Sequence, residues 1–263
     1  MSNRNCVYLG VGNMGFPVFK ATAPYFLKSW DVTVIDKSEQ RLNQARTIGD
    51  IKIEDSLPSD IDILFLGVRP QDLPNISLGT SSPSLIISMM AGGMPNTPCE
   101  IGVGITPIYY TGEPNHNYSS FIESAQYLGE LFFVGEEHLI DSATGISAGG
   151  PAYIMVIAEA MIKASEKLGF SYSDSKRLVG KTLEGSGKLL QLSDKLPETL
   201  AQDVMTPNGT TEQGVNELKK QNVDTAIYKA LLKASIKLRI CLTQQRERSI
   251  PIKHMSPSLV NRQ

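Results

Sequence analysis

Gly10-Val11-Gly12-Asn13-Met14-Gly15 fits the spacing GxGxxG, directly after a short apolar run, Cys6–Gly10, and at the opening of a helical stretch that reaches about Trp30. Glycines at those places permit a tight turn, close approach of backbone to a pyrophosphate, and close packing of helix on strand. The phosphates then sit at a helix N-terminus, where backbone N–H groups and the helix dipole favour negative charge. Alone the motif is weak, since a glycine turn can be purely structural. Its place on an N-terminal strand, followed by a second strand, Val32–Ile35, that ends in Asp36, makes dinucleotide binding the stronger reading. Asp36 lies 21 residues after Gly15, where a carboxylate bonds a ribose 2′-hydroxyl and favours NAD. Lys37, Ser38 and Arg41 stand beside it and suit a 2′-phosphate instead. A solvated carboxylate beside two surface cations is the bland third choice.

Other candidate positions follow later strands. Val68-Arg69-Pro70-Gln71 ends the apolar run Ile61–Val68 and so falls at the carboxyl edge of a sheet, where open α/β sheets bind ligands. There Arg69 reaches a cofactor or merely caps a strand end. Gly92-Gly93-Met94-Pro95-Asn96-Thr97-Pro98 is a loop whose Asn can face a nicotinamide, although turn chemistry explains Pro and Asn equally well. Thr206-Pro207-Asn208-Gly209-Thr210-Thr211-Glu212-Gln213 introduces a helix; Thr210 and Gln213 have capping-box spacing, and capping is the simpler use. The same helix start would also hold a substrate carboxylate on free N–H groups.

These positions need a scaffold. Ile61–Val68 is the almost wholly apolar kind of strand that is buried on both faces of a parallel sheet, and Leu85–Met89 and Phe132–Gly135 continue the series. Strands alternating with helices, such as Ser38–Ile48, predict an α/β, Rossmann-type domain over residues 1–135. No strand signal follows Gly135. Pro151–Leu168, Asp174–Leu192, Thr210–Lys220 and Ala226–Leu242 read as helices of an all-helical domain over 136–245, with an aperiodic tail at 246–263. Pro151–Leu168 is apolar on most of its circumference, which predicts burial against a partner chain.

Composition narrows the function classes. The chain has 263 residues, 41% apolar, with 25 Lys+Arg against 27 Asp+Glu. That balance argues against nucleic acid as a partner, and no apolar run reaches the roughly 18 residues of a membrane span. No signal peptide is legible at the N-terminus. Three scattered cysteines and three isolated histidines argue against a disulfide framework or a metal centre. A cytoplasmic protein is expected.

The chain resembles pyrroline-5-carboxylate reductase across roughly residues 6–240. The resemblance rests on GVGNMG, on VRPQ where the family has Val-Lys-Pro, and on MPNTP around Asn96. TGISAGGPAY at Thr144–Tyr153 and TPNGTTEQGVNEL at Thr206–Leu218 complete it, the latter near the family's Ser-Pro-Gly-Gly-Thr-Thr. It implies hydride transfer from NADPH, with NADH as the alternative, to the C=N carbon of 1-pyrroline-5-carboxylate, in a helical dimerisation domain that can build larger homo-oligomers. By the same resemblance Thr211 bonds the ring nitrogen and the N–H groups around Gly209 and Thr210 hold the carboxylate. Asp194 lies near substrate. Asn96, Pro98 and a Ser147–Pro151 turn line the nicotinamide, with Val68, Arg69 and Pro70 on the cofactor.

Departures accompany it. Gly149 replaces Ser, Asn208 replaces Gly and Arg69 replaces Lys. Where the family has a helix and a strand between Ala-Gly and MPNTP, only Gly93 intervenes here. Deleting a buried strand would leave backbone groups unpaired, which favours a segment missing from the sequence. A β-hydroxyacid-type dehydrogenase shares the N-terminal motif, but Lys163 lacks the Asn of a Lys-x-x-Asn helix. A non-catalytic cofactor-binding regulator is the remaining alternative.

Overall fold

The structure is a computed structural model that describes residues 4–69, 72, 75–89 and 93–248, with side chains through 235. Pro70 therefore lies outside the described residues, as does 249–263 of the expected tail.

Contacts cluster into two compact units, residues 1–151 with 234–263, and residues 152–233. In the first, β1 (Arg4–Leu9), β2 (Trp30–Ile35), β3 (Lys52–Ile53), β4 (Ile63–Leu66) and β5 (Leu85–Ser88) form a sheet of order 3-2-1-4-5. Every pairing is parallel, with Tyr8 of β1 opposite Val34 on one side and Phe65 on the other. This is the Rossmann-type order. The helix α1 (Gly15–Phe26) packs on it: Tyr8 stacks on Phe65 at 4.5 Å between ring centres, and Phe19 meets Tyr8 edge-on at 5.0 Å. The buried Tyr8 hydroxyl donates to Thr22 Oγ1 at 2.7 Å, and Thr22 donates to the Val18 carbonyl. One buried polar pair is thus satisfied inside an aromatic core. Helix α2 (Glu39–Arg46) starts at Ser38, whose hydroxyl accepts the Arg41 N–H.

The sheet stops at β5. Strands β6 (Gly104–Ile108) and β7 (Gly129–Phe133) pair with each other in a separate two-stranded parallel sheet, flanked by α3 (His116–Ala125). The chain passes between the sheets through Gly93, whose N–H donates to the Ser88 carbonyl, while Met94 N–H donates to Pro107. This break falls at the sequence position where the resemblance implied a further helix and strand. Ile86, Met89, Ile108, Tyr110 and Tyr118 border a small, mostly apolar cleft of about 60 Å³ there.

Helix α4 (His138–Ala143) continues through a π-helical turn, Thr144–Ala148, into α5 (Gly150–Lys167). The expected Ser147–Pro151 turn is therefore helix. His138–Lys167 makes 30 continuous helical residues with an 18-residue window of mean hydropathy 1.4, so by length and composition one helix can cross a membrane. The stretch is interrupted by Asp141, Thr144, Ser147 and Glu159, so it holds no unbroken apolar run of 18 residues. Only 11% of the window is buried within the chain.

Helices α6 (Tyr172–Leu192), α7 (Pro197–Val204), α8 (Thr210–Lys220) and α9 (Val223–Arg248) complete the described residues. Gly169, with φ +101°, ends α5 as a left-handed cap. Helix α9 absorbs 246–248 of the expected tail, whose Arg and Glu residues are good helix formers.

Candidate active site

The glycine motif builds a cradle. Gly10 has φ +88°, a conformation in which L side chains are strained. A Cβ on Gly15 would lie 2.0 Å from the Gly10 carbonyl oxygen, so this glycine permits the helix–strand crossing. A Cβ on Gly12 would meet nothing within 4 Å, which leaves open space over the loop backbone. Met14 precedes α1 with no side-chain cap, and the Phe16 N–H donates to the Gly12 carbonyl at 2.9 Å, which folds the loop directly into the positive end of the helix. The residues present therefore fit a pyrophosphate.

Gly67, at the end of β4, was not singled out from the sequence and belongs to the same cradle. A Cβ there would lie 2.2 Å from Gly10 O, 2.7 Å from Met89 Cε and 3.1 Å from Gly15 Cα. An isolated glycine inside an apolar strand run is the signal that could have found it. Gly67→Ala is expected to lower stability by about 1–3 kcal/mol, the usual penalty of overpacking. Thermal unfolding measures it, and an unchanged melting curve would contradict the close crossing.

The side chains that bear on the two cofactor assignments lie beside the cradle. Asp36 Oδ2 accepts the Val11 N–H at 2.8 Å and Oδ1 accepts the Ser38 N–H at 2.8 Å. Each oxygen thus already holds one backbone donor. Arg41 Nη2 donates to Asn13 Oδ1 at 2.6 Å, which sets its guanidinium at the rim of the glycine loop. Lys37 is exposed. Val68 closes over the loop so tightly that a Cβ on Gly10 would lie 2.9 Å from its Cγ1, and exposed Arg69 pairs with Asp72 at 2.9 Å. Asn96 caps the 3-10 turn Thr97–Ile101, which contains Pro98. Its Oδ1 accepts Ile105 N–H at 3.0 Å and the Cys99 thiol at 3.6 Å, so the carbonyl end of the amide is held within the protein. Burial pushes the Cys6 and Cys99 thiols up, which makes both inert packing groups.

In the second unit, α8 begins at Thr210 with Gly209 as its cap residue and no side-chain cap. The expected Thr210–Gln213 capping box is not formed, because Gln213 N–H bonds the Gly209 carbonyl and Thr210 is already helical. Gly209 N–H donates to Thr206 O at 2.8 Å, so the donors without a partner are those of Thr210, Thr211 and Glu212 rather than of Gly209. Thr210 and Thr211 are exposed. Asn208 takes the left-handed backbone, φ +60°, at the place where the family has glycine. Asn is among the side chains that tolerate it best. Asp194 lies exposed in the loop after α6, and no described hydrogen bond joins it to the α8 start.

Residues 137–239 match the family model "Pyrroline-5-carboxylate reductase dimerisation". Pyrroline-5-carboxylate reductase 1 of Bacillus subtilis is 30% identical over 199 residues, 67% of either chain. The pyrroline-5-carboxylate reductase of Staphylococcus haemolyticus is 26% identical over 269 aligned positions, covering 92% of this chain and 98% of that protein. The alignment is longer than the 263-residue chain, so this chain carries gaps against its relative. The 1-pyrroline-5-carboxylate reductase structure of Streptococcus pyogenes superposes with a TM-score of 0.77 at 22% identity, over 89% of this chain and 97% of that one. A Plasmodium falciparum pyrroline carboxylate reductase structure with NADP bound gives 0.76 at 24%, over 91% and 98%. The chain belongs to the pyrroline-5-carboxylate reductase family.

Proposed function

We propose that this chain reduces the C=N bond of 1-pyrroline-5-carboxylate to L-proline with NAD(P)H, the closing step of proline biosynthesis. The observation that carries the proposal is the uncapped Thr210-Thr211 helix start in a chain of this family. When bound, the dinucleotide supplies a hydride to the ring carbon, and a proton on the ring nitrogen completes the amine. A cyclic imine is readily protonated and its iminium is already electrophilic, so the protein's task is orientation. The N–H groups of Thr210 and Thr211 receive the substrate carboxylate at the positive end of α8. The Thr211 hydroxyl holds the ring nitrogen. Gly10, Gly12, Asn13, Met14 and Gly15 hold the pyrophosphate, Val68, Arg69 and Pro70 are assigned to the cofactor, Asn96 and Pro98 to its nicotinamide side, and Asp194 to the substrate.

NADPH is the proposed cofactor, with Ser38, Lys37 and Arg41 around the 2′-phosphate. Support comes from the two backbone donors already on Asp36 and from the guanidinium of Arg41 at the loop rim. The supporting comparison is the Plasmodium falciparum relative, a structure with NADP bound. Wild type is expected to show higher kcat/KM with NADPH than with NADH, and Arg41→Ala to erode that ratio by about 10-fold, the scale of one charge-assisted hydrogen bond. Absorbance assays with pyrroline-5-carboxylate and each cofactor decide it. A clear NADH preference shows that Asp36 governs the ribose, and no oxidation of either cofactor overturns the activity.

The assignment extends to a dinucleotide domain over 1–135 and a helical domain over 136–245 that pairs two copies. A soluble cytoplasmic enzyme fits the two buried free thiols.

A further inference from the structure

The turn before α8 is held by a residue to which the proposed reaction assigns no part. Asn208 N–H donates to Glu212 Oε2 at 2.8 Å, across the first turn of the helix. Glu212 is the third residue of α8, from which an acid usually reaches back to the N–H of the cap residue. Here the cap N–H, that of Gly209, is already bonded to Thr206 O, and the carboxylate reaches one residue further. A Cβ on Gly209 would lie 2.2 Å from Thr206 Oγ1, so the turn 206–209 is tightly closed. Glu212 thus satisfies the donor outside the helix and leaves the first helical donors open.

We propose that Glu212 is a positioning residue whose carboxylate clamps the 206–209 turn in the shape that keeps the Thr210 and Thr211 donors available to a substrate carboxylate. This rests on the activity proposed above. Asn is a strong helix-capping side chain. Freed from the clamp, the turn can relax and place the Asn208 carboxamide on those same N–H groups, in competition with substrate. The loss is one of substrate binding, so it falls on KM.

The test compares wild type, Glu212→Ala and Glu212→Gln. Glu212→Ala is expected to raise KM for pyrroline-5-carboxylate by about 10-fold with kcat within about 3-fold, the pattern of lost ground-state binding. Glu212→Gln keeps an acceptor oxygen and removes a charge that repels the carboxylate, so its KM should match or fall below wild type. Amide hydrogen exchange at Asn208, measured without substrate, should quicken in Glu212→Ala and not in Glu212→Gln. An unchanged KM in Glu212→Ala, equal impairment of both variants, or equal Asn208 exchange in wild type and Glu212→Ala overturns the clamp. A wild-type chain with a protected Asn208 amide and no imine turnover sinks the activity instead, and leaves the clamp standing as a structural fact.

Discussion

Thr211→Ala is expected to lower kcat/KM for imine reduction by about 10–100-fold, on the order of 1.4–3 kcal/mol, the worth of one hydrogen bond to a charged group. The structure leaves the Thr211 hydroxyl free for that task. Gly209, not a threonine, caps α8, and Glu212 rather than a hydroxyl satisfies the turn before it. Removing the hydroxyl therefore takes nothing from the helix start, and the melting temperature should hold. Thr211→Ser retains the oxygen and should retain most of the rate. A variant that folds like wild type and turns over like it would show that the ring nitrogen is held elsewhere. Loss of rate with an equal loss of stability would point instead to a structural role.

The sheet was legible wherever a strand was apolar enough to be buried on both faces. Ile63–Leu66 and Leu85–Ser88 fall inside the runs expected, and α8 matches its expected bounds. Elements without that signature escaped. Strand β3 is two residues long, and β6 carries Gly104 and Pro107, residues that argue against a strand. Helix α7 is eight residues long, and its large apolar positions, Leu200 and Val204, are too few to establish a helical period. The site divides the same way. The glycines at 10, 12 and 15 announce themselves by spacing, whereas Gly67 acts through contacts with residues more than fifty positions away. Nor can spacing reveal where a side chain turns. Asp36 and Arg41 sit together in sequence under either cofactor assignment, and their spacing gives no sign of the bonds they make to Val11 and Asn13. Asn208, a departure from the family by residue type, keeps the left-handed turn that a glycine would make.

The second unit is expected to exist only as a homodimer, and no result would alter the picture more than an active monomer. Ala158 and Val179 are the apolar side chains buried within residues 152–233. Met155 and Val156 on α5 are 63% and 68% exposed, and Leu178, Leu189, Leu190 and Leu192 on α6 are exposed as well. A self-contained bundle with α5 at its centre would bury these groups, so that alternative does not describe this chain. A helical unit with so little core cannot offset its own chain entropy. The dimerisation family model spans this region, and a two-fold pairing of the same helices would cover the open face. Obligate interfaces of this kind bury roughly 2,000 Å² or more, and the apolar face of α5 supplies the hydrophobic part. Light scattering at micromolar concentration should report at least twice the 28.7 kDa chain mass. Val156→Asp buries an unpaired carboxylate at the contact, which costs at least several kcal/mol and should abolish both the dimer and the activity. An active, stable species of 28.7 kDa, or a fully active Val156→Asp dimer, would remove α5 from the interface.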